Sequence, residues 1–295
     1  MQKADTEALR LEYARRMLRK ASVPEDPGLL AAMAAVPREH FLGPPPWQVR
    51  DYPGGYSPPS DDLALIYDDV LVALDAARGI NNGSPSLHAR GIHTLAPRDG
   101  DHVVHIGAGT GYYSAILAEM VGPAGRVWAV EYDQGLAERA RACLADRSNV
   151  ETVCGNGSDW PDRPVDIVYV NFATDRPADR WVEMLRPGGR LLFPLGVPAH
   201  ADVGGSDFSA RAGYLLVTAT ADGYAARFVQ SVAFIWGRGL ADAGSDSQER
   251  LAAAFRAGGA LRVAGLRWKS APRMTEWFSD PDWGLELEPV GEGTG

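Results

Sequence analysis

Cysteine is nearly absent from this sequence, and so are the marks of an extracellular or membrane chain. Two cysteines, Cys143 and Cys154, cannot build a disulfide framework and suit a reducing, cytoplasmic compartment. They are expected to be plain buried thiols. No run approaches the roughly 18 apolar residues of a membrane helix, and the N-terminus lacks the apolar core of a signal peptide. Positive charge is in deficit: 29 Lys and Arg against 38 Asp and Glu leave a net charge of −9. That argues against a nucleic-acid partner, which calls for a basic face. The locally basic "RLEYARRMLRK" reads as a solvated helix face. The six histidines show no H-E-x-x-H or clustered spacing, so no metal is expected.

What is present is a globular composition, 45% hydrophobic and 23% charged, in 295 residues, ample for a sizeable core. Helical periodicity covers residues 5–20, and "PEDPGLLAAMAAVP" starts a second helix after Pro24 or Pro27 and stops it at Pro37. Residues 43–62 are crowded with Pro and Gly and read as an irregular loop; 63–75 are ambiguous. A helix follows from about Ser84 or Pro85. Then strands and helices alternate: "HVVHI", "YYSAILAEMV", "RVWAVE", "QGLAERARACLAD", "VETVCG", "VDIVYVNF", "ADRWVEML", and "GRLLFPLG" after a Pro-Gly-Gly turn. This order predicts an α/β fold, a doubly wound Rossmann-like sheet that is mostly parallel. "GYLLVTATADG" and "ARFVQSVAFIWG" add an antiparallel C-terminal hairpin. The expected division is 1–80 for N-terminal helices and a loop region, 81–240 for the core and 241–295 for a small extension.

Chemistry concentrates at "HIGAGTGYY", His105 to Tyr113, and at Glu131, twenty positions after Gly111. Glycines admit close backbone approach to a ligand, and a carboxylate closing the next strand suits ribose hydroxyls. The dinucleotide fingerprint G-x-G-x-x-G needs a third glycine where Tyr112 stands, which counts against NAD and FAD. No G-x-x-x-x-G-K-[ST] is present, so a nucleoside triphosphate is disfavoured as well. S-adenosyl-L-methionine, which has no pyrophosphate, is the cofactor left. The expected cofactor residues are His105, Gly107, Ala108, Gly109, Gly111, Tyr112, Glu131 and Tyr132, with Asn156, Gly157 and Asn171 after later strands. Asn156 would offer an acceptor to the adenine amino group.

"LLAAMAAVPREHFLGP", "YDDV", the glycine loop and "LRPGGRLLFPLG" together resemble the protein-L-isoaspartate O-methyltransferase family. The resemblance covers about 21–237. It implies a class I methyltransferase fold and methyl transfer to isoaspartyl carboxylates of damaged protein or peptide, the first step of repair. Family members usually carry an acid at the position of His105 and an Asp at that of Asn156. Their Thr-Ile-Ser falls on Asn81, Asn82 and Gly83, so the serine hydroxyl is missing unless Ser84 or Ser86 substitutes. Asn82 and Ser84 are therefore the expected acceptor-orienting, catalytic residues, with Asn81, Tyr67 and Asp68 nearby.

A carboxylate acceptor, with a reference pKa of about 4, is ionised at neutral pH and needs no general base. A phenol or amine acceptor would want one, and His88 and His93 are the candidates. Two alternatives stay open: the same cofactor site with another acceptor, a modified peptide or small molecule, or a non-catalytic cofactor-binding module. Neither the natural acceptor nor the oligomeric state follows from the sequence.

Overall fold

The computed structural model describes residues 3–51, 55–199, 209–240 and 243–288. They fall into two units, Met1–Gly155 and Asn156–Gly295.

The first unit opens with α1 (Lys3–Lys20), which buries Tyr13, Ala14, Met17 and Leu18 on one face. Arg19 and Lys20 in its last turn complement the helix dipole. Helix α2 (Pro27–Ala35) starts where the Asp26 carboxylate accepts the Leu29 amide and Pro27 presets the first helical φ. It stops before Pro37, because the residue preceding a proline is pushed out of the helical region. A short α3 (Glu39–Leu42) follows. The described residues of the Pro- and Gly-rich stretch are mostly irregular, apart from the two-residue strands β1 (Arg50–Asp51) and β2 (Gly55–Tyr56). The ambiguous stretch and the residues after it form one helical turn, α4 (Leu63–Ile66), and a small hairpin, β3 (Ala73–Asp75) with β4 (Ile80–Asn81). Helix α5 (Pro85–Leu95) leads to three parallel strands in the order β5 (His102–Ile106), β6 (Arg126–Glu131) and β7 (Val150–Cys154). Parallel neighbours require crossovers, supplied here by α6 (Tyr112–Val121) and α7 (Gln134–Cys143). Val103, Val104, Ile106, Val127, Ala129 and Val130 are buried in these strands.

The two thiols are not both buried. Cys143 is half-buried and donates to the His40 carbonyl at 3.3 Å, with burial pushing its pKa up. Cys154 ends the outermost strand β7 and is exposed. An edge strand has one flank without a covering neighbour, a position that composition cannot reveal.

The second unit pairs β8 (Val165–Val170) in parallel with β9 (Leu185–Pro198), joined through α8 (Asp179–Glu183). From β9 onward pairing is antiparallel: β10 (Ser209–Thr220), β11 (Gly223–Val232), β12 (Val263–Trp268), β14 (Trp283–Leu287) and β13 (Glu276–Ser279), in that order. Helix α9 (Ser245–Ala257) packs its Leu251 inward. The antiparallel part thus extends beyond the expected hairpin by three strands. Pro187-Gly188-Gly189 is not a turn ahead of its strand. Val165 pairs with Leu185 and Ile167 with Arg190, so these residues bulge within β9.

Candidate functional site

The glycine loop joins the end of β5 to α6. Gly107, Gly109 and Gly111 have φ of 75°, 59° and 94°, a region that L side chains seldom enter. Gly111 is glycine for a second reason: a Cβ there would stand 2.6 Å from Leu144 Cδ1. Gly109 faces nothing closer than Leu74 Cδ1 at 3.7 Å. Four of the loop's amides are engaged within the protein. Gly107 and Ala108 donate to the Val130 carbonyl at 2.9 and 3.1 Å, Gly109 to Glu131 Oε2 at 2.8 Å, and Gly111 to the Ala108 carbonyl at 2.9 Å.

Glu131 ends β6 and is 8% exposed. Burial raises its pKa, opposed by the amides of Asp133 and Gly109. Each carboxylate oxygen accepts one backbone amide, Oε2 from Gly109 and Oε1 from Asp133 at 2.9 Å. The Tyr132 amide also bears on the carboxylate, and the acceptor capacity left over suits a ribose hydroxyl. Tyr132, next in the chain, is exposed. Asp133 caps α7 through the Leu136 amide and pairs with Arg78 at 2.6 Å. Arg78 also holds Asp75 at 2.7 Å, and Arg139 donates to the Leu74 carbonyl at 3.1 Å, so the β3–β4 hairpin is tied to this end of the sheet.

Tyr112 and Tyr113 follow Gly111 and are buried. His105 lies beneath the loop, fully buried, its Nδ1 2.7 Å from Ser114 Oγ of α6, and burial brings its pKa down to about 3. It is a neutral ring inside the core.

The acceptor-side residues converge on Arg38, which sequence reasoning noted only as a letter of "VPREHF". Its guanidinium, fully buried, donates to the carbonyls of Ile66, Asp68 and Val70 and, from Nε and Nη2, to Asn82 Oδ1 at 3.2 Å. It also lies 5.9 and 6.0 Å from the ring centroids of Tyr13 and Tyr112. Asn82 is buried and its amide donates to the Val72 carbonyl. Tyr67 is loop packing: its hydroxyl accepts the Arg38 amide at 3.2 Å and donates to Glu39. Asp68 meets Arg16 and Lys20 at half-exposed positions. Ser84 caps α5 by accepting the Leu87 amide and donates to Asp69 Oδ1 at 2.9 Å, while Ser86 donates to Asp69 Oδ2 at 2.7 Å. Asn81 Oδ1 accepts the Gly83 amide. His93 pairs with Asp26, 2.8 Å away, which ties α5 to α2. His88 stacks on Tyr113 with centroids 3.8 Å apart.

The structure therefore brings together Asn82, Ser84, His88 and the Tyr112–Tyr113 pair behind the glycine loop, all within the first unit. Asp69 and Arg38 are the members that sequence reading missed. The signal lay in the polar run "YDDV" and in a charged residue followed by a helix start.

In the second unit, Asn156 Oδ1 accepts the Ser158 amide at 3.1 Å and its Nδ2 donates to the Gly239 carbonyl at 2.6 Å. The Gly157 carbonyl accepts Trp181 Nε1 at 2.9 Å, and Asn171 follows β8 at a half-buried position. Among the described residues there is no group of three or more His, Cys, Asp or Glu able to hold a metal ion, and no helix long and apolar enough to cross a membrane.

The sequence model of the Protein-L-isoaspartate(D-aspartate) O-methyltransferase family matches residues 14–207. The protein-L-isoaspartate O-methyltransferase of Aeropyrum pernix is 37% identical over 186 residues, 61% of this chain and 65% of that one, just under two thirds of the relative's length. A solved protein-L-isoaspartate O-methyltransferase superposes with TM-score 0.62 at 21% identity, covering 95% of this chain and 88% of that one. A Plasmodium falciparum chain described as a beta-aspartate methyltransferase, solved with S-adenosyl-L-homocysteine, gives 0.58 at 14% identity, covering 77% and 97%. At these identities the superpositions establish the mixed α/β fold.

Proposed function

The chain belongs to the protein-L-isoaspartate(D-aspartate) O-methyltransferase family, and on that premise we propose that it is an S-adenosyl-L-methionine-dependent carboxyl O-methyltransferase acting on isoaspartyl carboxylates of protein or peptide. One observation carries the reading: a buried carboxylate, Glu131, ends its strand and is stapled by the Gly109 amide to a glycine loop of positive φ. That arrangement fits a nucleoside held through its ribose hydroxyls. Glu131 would hold the ribose, Gly107 and Gly109 would allow close approach, and Tyr132 would lend an open ring face. The bound cofactor supplies an electrophilic sulfonium methyl.

The chain's own part is positioning. An acceptor carboxylate is ionised at neutral pH, so its oxygen lone pair forms the bond to the methyl carbon while the C–S electron pair passes to sulfur. No proton moves. The products are a methyl ester and S-adenosylhomocysteine. Arg38 fixes the 66–70 segment and Asn82, and Asp69 fixes Ser84 and Ser86, which gives the 81–86 segment one defined shape. The same bonds support a second reading, a different acceptor such as a modified peptide or small molecule, because the oxygens of Asn82 and Ser84 are spent on protein partners. A cytoplasmic setting accords with the thiols and belongs to this proposal.

Methyl transfer from labelled cofactor to an isoaspartyl peptide, beside its aspartyl twin, tests the reading. Label in the isoaspartyl peptide alone supports it. Label in neither peptide, with S-adenosylhomocysteine binding intact, moves the choice to the second acceptor class.

A further inference from the structure

Arg78 stands at the tip of the β3–β4 hairpin, between two carboxylates that belong to different parts of the first unit. The tip turns tightly: the Gly79 amide donates to the Ala76 carbonyl at 3.3 Å, with Gly79 at a φ of 69°. Asp75 aims the side chain, its Oδ1 accepting the Arg78 amide at 3.2 Å and its Oδ2 accepting Nε at 2.7 Å. The rigid guanidinium fork then presents Nη1 to Asp133 Oδ2 at 2.6 Å. Asp133 in turn donates its own amide to Glu131 Oε1 at 2.9 Å and caps α7 through Oδ1. One arginine therefore joins the hairpin tip to the turn that holds the Glu131 carboxylate.

The hairpin reaches the glycine loop as well. A Cβ on Gly109 would lie 3.7 Å from Leu74 Cδ1, so the Leu74 side chain stands over the residue whose amide grips Glu131 Oε2. Leu74 is half-buried, and Arg139 of α7 donates to its carbonyl at 3.1 Å. In the other direction β4 ends at Asn81 and runs straight into Asn82, which Arg38 fixes. The hairpin thus borders the carboxylate assigned to the cofactor and leads into the acceptor-side segment. Two strands this short do not hold a position by themselves, so the side-chain ties decide where the hairpin sits.

Resting on the reading that Glu131 and the glycine loop take the nucleoside of S-adenosyl-L-methionine, we propose that Arg78 is a positioning residue that holds the hairpin, with Leu74, against the cofactor site and so governs how long the nucleoside stays. A bound nucleoside is retained by apolar contact with Leu74 as well as by Glu131, and it leaves when the Asp75–Arg78–Asp133 bridge opens. The three side chains of that bridge are 28–44% exposed, so it opens at little cost to the fold and yields to salt.

Displacement of bound S-adenosylhomocysteine, followed in stopped flow, tests this. Arg78→Leu removes the bridge and keeps an aliphatic body at the tip. The expected result is a dissociation rate constant about tenfold higher, with the association rate and the melting temperature little changed. In the unaltered chain, raising salt from about 0.1 M to about 1 M should speed dissociation, because the screening length falls from roughly 10 Å to 3 Å. The same change of salt should have no comparable effect on Arg78→Leu. Equal dissociation rates in the two chains overturn the proposal, and so does a salt response of the same size in both. Indifference of the unaltered chain to salt overturns it as well, whatever the variant's folding. An unaltered chain that does not bind S-adenosylhomocysteine is the separate failure of the cofactor reading, which takes the Arg78 role with it.

Discussion

Glu131 accepts the amide hydrogen of Gly109 at 2.8 Å, which locks the carboxylate ending β6 to the loop leaving β5. The bond gives the carboxylate two tasks, shaping the loop and facing a ligand. Glu131→Ala is therefore expected to weaken S-adenosylhomocysteine binding roughly ten- to a hundredfold and to lower the melting temperature, since two amides lose their acceptor. Titration and thermal melting on the same variant check both. An unchanged dissociation constant with a lower melting temperature would leave only the loop-shaping role.

Ser84 and Asn82 separate capping from catalysis. Ser84→Ala removes the α5 cap and a donor to Asp69, which should cost about 1 kcal/mol of stability. Asn82→Ala removes the side-chain acceptor shared by Arg38 Nε and Nη2. Each should lower methylation about tenfold with S-adenosylhomocysteine binding unchanged, because the reaction depends on positioning. Reduced stability with normal turnover would remove both residues from the catalytic set.

Arg38 is a structural hub. Arg38→Met leaves three carbonyls and the Asn82 oxygen without their donor inside the protein. The expected loss is about 3 kcal/mol or more in urea unfolding. Stability near that of the unaltered chain would show that the 66–70 segment holds itself.

How far these roles were legible depends on whether the cause is local. Helices α1, α2 and α5 announce themselves through periodicity and, in α2 and α5, through proline at the first helical position. Strands β5, β6 and β8 are short buried apolar runs between turn signals. The glycine loop and Glu131 were readable because spacing alone fixes their relation. Arg38 was not, since its partners are carbonyls 28 to 32 residues away, and carbonyls leave no trace in a sequence. Gly83 was read as the loss of a side chain; its reason, the His88 ring, appears only once α5 is folded back on the loop. Strands β12 to β14 fall in what was read only as a small extension, because their pairing joins segments separated by irregular chain.

His105 predicts a pH dependence of stability. Burial brings its pKa from 6.5 down to about 3, so between those values the unfolded chain binds a proton that the folded chain does not. This contribution to stability is complete above pH 6.5 and is lost as pH falls toward 3. At pH 5 the loss is about 2 kcal/mol relative to neutral pH. Urea unfolding at pH 7 and pH 5 should show that loss in the unaltered chain and a smaller one in His105→Gln. Identical losses would mean that other groups govern acid stability.

The cofactor is the point on which everything else depends, and isothermal titration of the full chain with S-adenosylhomocysteine and, separately, NAD addresses it most directly. The expected result is saturable binding of S-adenosylhomocysteine and no heat from NAD. Binding of NAD with no response to S-adenosylhomocysteine would contradict the assignment of the glycine loop and Glu131.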